Sequence, residues 1–153
     1  MKITELFAQN NLHIQEETYT CGPCSLLNIL RLKGDATRTE LELAALCKAR
    51  KGIGASHEDM VKAAQAVELQ IITEKRDATM ADIEHDIDAG SYIIVNFIDM
   101  YSGNGHYSLI TEYDDRAFYL RDCTAGLFRL EKNFLKKCWR SGDGIPCWYM
   151  AVK

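Results

Sequence analysis

The residues best suited to chemistry begin with Thr20-Cys21-Gly22-Pro23-Cys24-Ser25, a segment that opens an apolar helical pattern. At a helix N-terminus the unpaired backbone N–H groups and the macrodipole favour an anion, so a cysteine there is stabilised as the thiolate, its nucleophilic form. A cysteine nucleophile needs a base and a group that orients the base. His106 stands in Ser102-Gly103-Asn104-Gly105-His106-Tyr107, where a glycine-rich loop runs into a strand, a setting that exposes an imidazole at a cleft on a rigid support. Asp122 follows 16 residues later, at the end of the next strand. A tight turn brings the distal ends of two strands side by side, so His106 and Asp122 are expected to be neighbours. Gln15, six residues before Cys21, is placed to reach over the helix entrance and donate its amide N–H to an oxyanion. The chemistry this set predicts is acyl transfer through a thioester, with no metal or organic cofactor.

Cys-Gly-Pro-Cys is also the dithiol of thioredoxin-like proteins. That fold sets its dithiol after an initial strand, helix and strand and faces the sulfurs with a downstream proline. Here only 20 residues precede Cys21 and the next proline after Pro23 is Pro146, so hydrolysis is the better reading. His13, His57 and His85 have no partner at a telling spacing and read as surface or packing residues. His57-Glu58 lacks the second histidine of a zinc-protease helix, since position 61 is Val61. Cys47, Cys123, Cys138 and Cys147 supply no second close pair for zinc. Asp82-Ile83-Glu84-His85-Asp86-Ile87-Asp88 lacks the glycine and terminal glutamate of a calcium loop and reads as a solvated helix face. Gly52-Ile53-Gly54-Ala55-Ser56-His57 starts like a dinucleotide loop but has His57 where the third glycine belongs.

The elements that must hold these residues are legible in outline. Leu26, Leu27, Ile29 and Leu30 give a helix over 25–33 that Gly34 stops. Thr37 and Glu40 fit a capping box for a second helix; Ser56 with Asp59 and Thr79 with Asp82 open two more, the last closed by Gly90. A short strand is expected at 70–73. From residue 91 the texture turns to strands at 92–98, 107–113 and 117–121, with a turn at 114–116. A strand at 127–130, a helix at 131–139 and a strand at 148–152 follow, with Trp139, Trp148 and Tyr149 as core or cleft-wall aromatics. Helices first and an antiparallel sheet second predict an α+β fold with a cleft between the layers.

The chain has 153 residues, enough for one sizeable core, and no linker or repeat divides it, so 1–153 reads as a single domain. Eighteen Lys plus Arg against 22 Asp plus Glu leave a net charge of −4, the wrong sign for a nucleic-acid partner. The longest apolar run, Tyr92 to Ile98, is far short of the ~20 residues that span a bilayer. The opening residues lack the uninterrupted apolar stretch of a signal peptide, which makes the cytoplasm the default compartment. Six cysteines in a chain with this much core read mostly as buried, reduced thiols.

At Gln15, Cys21-Gly22-Pro23, Gly105-His106-Tyr107 and Asp122 the sequence resembles the C39 peptidases, papain-like cysteine proteases that remove double-glycine leaders from bacteriocin and pheromone precursors. The resemblance runs from about Gln15 to Leu130. It implies a papain-like fold, helical half packed on sheet, with Cys21 as nucleophile, His106 as base, Asp122 as orienting carboxylate and Gln15 as oxyanion donor. The implied partner is a peptide or protein, with a glycine-containing leader as one form of it. The leader-cleaving members are usually fused to an exporter with membrane helices, whereas this chain reads as a free-standing domain, and two residues also depart from the family. Cys24 replaces a small apolar residue, which leaves a second thiol one turn from the nucleophile, able to form a disulfide with Cys21, and Cys123 replaces the proline that often follows the carboxylate. The same thioester chemistry serves an amidase, a deamidase or an acyltransferase, and the same cleft without chemistry serves a peptide-binding module.

Overall fold

Cys21–Leu32 folds as a helix, α2, in which every residue from Cys21 to Leu30 is buried, as a helix apolar on nearly all sides must be. The computed structural model describes residues 2–153. Helix α2 starts four residues earlier than the leucine pattern alone predicts. Pro23 sits in its first turn, where a backbone N–H has no intrahelical partner to lose. Gly34, at φ +94°, ends it. A helix the sequence reading did not anticipate, α1 (Ile3–Gln9), precedes it; Phe7 is its buried anchor and Asn11, in a left-handed conformation, follows its end. Helix α3 (Glu40–Leu46) is capped by Thr39 and Glu42, not by the expected Thr37 and Glu40. Thr37 is instead held by the Asp35 carboxylate, and Glu40 turns inward and is buried. Ser56 caps α4 (His57–Ala66) and the Thr79–Asp82 box opens α5 (Met80–Asp88), both as predicted. The α5 face is less solvated than its charges suggest, because Asp86 is buried and accepts the Tyr149 hydroxyl at 2.7 Å. Helix α6 is Lys132–Cys138.

The strands are β1 (Ile71–Lys75), β2 (Tyr92–Ile98), β3 (Gly105–Tyr113), β4 (Ala117–Asp122), β5 (Gly126–Glu131) and β6 (Tyr149–Val152). They form one six-stranded sheet in the order β1-β6-β2-β3-β4-β5, antiparallel throughout, so the fold is α+β. Alternation along the strands sends Ile94, Leu109 and Met150 to a core shared with α2, α3 and α4, and Ile93, Val95 and Ile110 to a second core under α5 and α6. Trp148 and Tyr149 are buried on opposite sides accordingly. Among the described residues no helix is long and apolar enough to cross a membrane.

One irregularity decides where the site lies. The β3–β4 hairpin pairs Tyr113 with Phe118 and Glu112 with Tyr119, then Ile110 with Leu120, so Thr111 is an extra residue on β3. A one-residue shift moves side chains to the other face of the sheet. With it, Asp122 falls opposite Ser108 and on the face of His106; without it, Asp122 would fall opposite Leu109 and face away from the imidazole.

Candidate functional site

The bulge places His106 Nε2 2.7 Å from Asp122 Oδ2. Asp122 is 4% exposed and its remaining valences are filled: Ser108 Oγ donates to Oδ2 at 2.7 Å, while Thr124 N, Ala125 N and Thr124 Oγ1 donate to Oδ1 at 2.9, 2.9 and 3.0 Å. Burial by itself would raise this carboxyl, but the hydrogen bond and charge of His106, with the N–H donors, hold it well below the ordinary carboxylate range. The imidazole moves the other way. Its burial favours the neutral ring, yet the hydrogen bonds and charges of Asp122 and Cys21 outweigh that and raise it to about 11.

Cys21 is the first residue of α2, and its sulfur reaches β3, accepting the Tyr107 N–H at 3.4 Å in the residue next to His106. With Nε2 held by Asp122, Nδ1 is the ring nitrogen left for the sulfur. The Thr20 hydroxyl turns back to Glu17 O instead of capping the helix, which leaves the first N–H groups of α2 without a side-chain cap, at the positive end of its dipole. At Gly22 an added Cβ would meet Met60 Sδ at 2.6 Å, so the absence of a side chain there lets α2 and α4 pack closely without moving Met60.

The opposite pKa shifts give the pair a pH signature. Asp122, lowered from 3.8, contributes stability that is full above that value and lost as pH falls toward its folded-state value. His106, raised from 6.5 to about 11, contributes stability that is full below 6.5 and lost as pH rises through 11. The stability gap between the wild type and a His106→Gln/Asp122→Asn variant is therefore expected to peak between pH 3.8 and 6.5 and to narrow on both sides. Urea unfolding from acid to alkaline pH measures it; a gap independent of pH refutes the charge pairing.

Gln15 is tied to the same corner through its backbone, whose N–H donates to Cys123 O at 2.9 Å, one residue past Asp122. Its side-chain Nε2 donates to Glu17 O at 2.7 Å, which fixes the amide plane and uses one of its two N–H groups. Cys24 is not joined to Cys21: all six cysteines are free. The Cys24 thiol points away from the nucleophile toward His13 O at 3.4 Å, and Asn28 Nδ2 lies between it and Cys123 Sγ, at 3.8 and 3.7 Å. The helical twist turns Cys24 into the core beside Cys123, and the disulfide with Cys21 that the sequence allows is not present.

A cleft of about 610 Å³ opens at Cys21, walled by Gly54, His57, Asn96, Gly105 and Gly142. At Gly105 an added Cβ would come within 3.0 Å of Gly142 N, so the two loops approach too closely for a side chain. The sequence reading missed His57 as a cleft residue. It packs, as expected, but on the cleft wall: its ring stacks on Trp148 at 4.1 Å and meets Tyr107 edge-on at 5.8 Å, and burial lowers its basicity. Its place as the first residue of α4 after the glycine-rich 52–54 turn was the one available signal.

The family model described as Peptidase_C39 like family matches residues 4–144. No curated protein matches the chain. Among solved structures, the peptidase domain of Streptococcus ComA, a bi-functional ABC transporter involved in quorum sensing, superposes with a TM-score of 0.70 at 20% identity, over 93% of this chain and 95% of that one. A C39-like peptidase from Bacillus anthracis gives 0.74 at 13% identity, over 93% of both chains. A double glycine motif protease from an AMS/PCAT transporter, solved with its leader peptide, gives 0.62 at 15% identity, over 92% of this chain and 89% of that one. These likenesses are to papain-like C39 domains and establish the fold.

Proposed function

The chain belongs to the Peptidase_C39 like family, and from that premise we propose that it is a cysteine peptidase working through Cys21, His106, Asp122 and Gln15 as one 1–153 unit. The observation that carries the reading is that a buried, ionised Asp122 holds one side of the His106 imidazole while the Cys21 sulfur sits on the Tyr107 N–H, one residue away. His106, held by the Asp122 carboxylate, is the base that takes the proton of the Cys21 thiol. The thiolate attacks a peptide carbonyl, and the charge that develops on oxygen is met by the Cys21 N–H and the second N–H of Gln15. His106 gives its proton to the leaving amine, then takes one from the water that opens the thioester, while Asp122 keeps the ring in place. A non-catalytic peptide-binding role has no use for these three groups in one place.

The substrate is a peptide with small residues at the cut, supported by the close approach of Gly105 to Gly142 and by the likeness to a protease solved on a leader peptide. Free thiols throughout fit a reducing compartment, the cytoplasm. The test is incubation with synthetic peptides carrying an internal Gly-Gly and mass analysis of the products. Cleavage after the second glycine is the expected result; release of ammonia alone, or transfer to an added amine without hydrolysis, replaces the peptidase with an amidase or an acyltransferase. On the same peptide Gln15→Ala is expected to lose about 10²–10³ in kcat, the usual cost of one oxyanion donor. An unchanged kcat removes Gln15 from the oxyanion site.

A further inference from the structure

Residues 10–20, which carry Gln15, contain no regular element to hold them still, yet an oxyanion donor must be fixed to within a fraction of an ångström. The structure supplies the fixing from elsewhere. The Glu40 carboxylate, 6% exposed at the start of α3, accepts the Glu16 backbone N–H on both oxygens at 3.0 Å, in the residue next to Gln15. His13 Nε2 lies 3.3 Å from Glu40 Oε1, out of line for a neutral hydrogen bond but within ion-pair reach when the ring is protonated. Asn28, fully buried on α2, closes the other side: its Oδ1 accepts His13 N at 2.7 Å and its Nδ2 donates to His13 O at 2.9 Å. Together with Gln15 N on Cys123 O at 2.9 Å, the segment is pinned to α2, α3 and the end of β4, the elements around the reacting groups.

A buried carboxylate is costly to leave in a core without strong donors, and its removal strands the donors it satisfied. Nothing about the helix requires it there, since α3 is already capped by Thr39 and Glu42. We propose that Glu40 is a positioning residue for catalysis, which with His13 and Asn28 clamps the 13–16 segment so that the Gln15 amide meets the developing oxyanion. This inference rests on the peptidase reading and on the role of Gln15 within it. Glu40 touches neither substrate nor sulfur, so its effect passes through Gln15.

The experiment is a double-mutant cycle of Glu40→Ala and Gln15→Ala, using N-acetyl-glycylglycine p-nitrophenyl ester as the probe and reading nitrophenolate release, with thermal melts to confirm folding. Glu40→Ala is expected to lower kcat on the order of ten- to a hundredfold with little change in KM, the cost of a misplaced catalytic group. In the Gln15→Ala background the same change should cost less than about twofold, because the group it positions is gone. Glu40→Gln, which keeps one acceptor for Glu16 N–H, should restore part of the loss. Where Glu40→Ala does not fold, Glu40→Asp, which withdraws the carboxylate by one methylene, is read in the same cycle. Multiplicative losses, an equal loss in both backgrounds, or a folded Glu40→Ala with wild-type kcat overturns the clamp. A wild type inert on the ester, or a Gln15→Ala variant with full kcat, instead overturns the peptidase reading or the oxyanion role, and the clamp falls with it.

Discussion

Cys21→Ala is expected to abolish turnover, with kcat down about 10⁶-fold, the loss seen when the nucleophile of a comparable triad is removed. The size follows from what remains. Without the sulfur no covalent intermediate forms, and the oxyanion donors can assist only direct attack by water, which they catalyse weakly. No neighbouring thiol can substitute: Cys24 and Cys123 are fully buried, and their sulfurs are engaged with His13 O, Asn28 and each other's surroundings. The variant should remain folded, because Cys21 is a small residue at the margin of the core, 8% exposed, and losing one sulfur leaves a small void that opens to the cleft. Mass analysis of a Gly-Gly peptide incubated with wild type and variant, alongside matched thermal melts, reads both consequences. A folded Cys21→Ala that still cuts the peptide at the wild-type rate ends the cysteine peptidase interpretation.

The sequence spoke most clearly where local patterns and long-range packing agree. The strands at 92–98 and 117–121 could be read from apolar and β-branched runs, and the helix starts at Ser56 and Thr79 from capping chemistry, because both signals are local and the core reinforces them. The residues of the site were legible too, since a cysteine at a helix start, a histidine after a glycine-rich loop and an aspartate at a strand end each have few other uses in combination. What the sequence did not disclose was their register. The tight turn at 114–116 does bring the strand ends together, but the Thr111 bulge decides which face Asp122 takes, and Thr111 carries no mark of it. Nor was the inward turn of Glu40 visible: Thr37-x-x-Glu40 and Thr39-x-x-Glu42 are equally good capping boxes on paper. Packing selects the second, because a helix starting at Glu40 delivers Leu43 and Ala44 to the core and frees Glu40 to hold the Gln15 segment. The α1 helix escaped notice because seven residues are too short a stretch for a helical period to stand out.

Asp122→Asn should cost on the order of 10⁴ in kcat while leaving the fold nearly unchanged, and the reason is a proton, not a contact. Three donors, Thr124 N, Thr124 Oγ1 and Ala125 N, converge on Oδ1. Asparagine can satisfy them only by keeping its carbonyl oxygen there, which points its NH₂ group at Ser108 Oγ and at His106 Nε2. That nitrogen must then accept, so the neutral ring carries its proton on Nδ1, the nitrogen facing Cys21. An imidazole with a proton already on that side cannot take one from the thiol, and no carboxylate remains to stabilise the imidazolium. The nucleophile therefore stays a thiol at neutral pH. Two readouts separate this from general damage. Ring ¹⁵N shifts should show His106 changing from the charged or Nε2–H form to Nδ1–H, and alkylation of Cys21 by iodoacetamide at neutral pH should slow while circular dichroism shows the fold retained. Activity within tenfold of wild type, with the Nε2–H form of the ring retained, would show that Asp122 does not set the tautomer and that the thiolate is made by the helix alone.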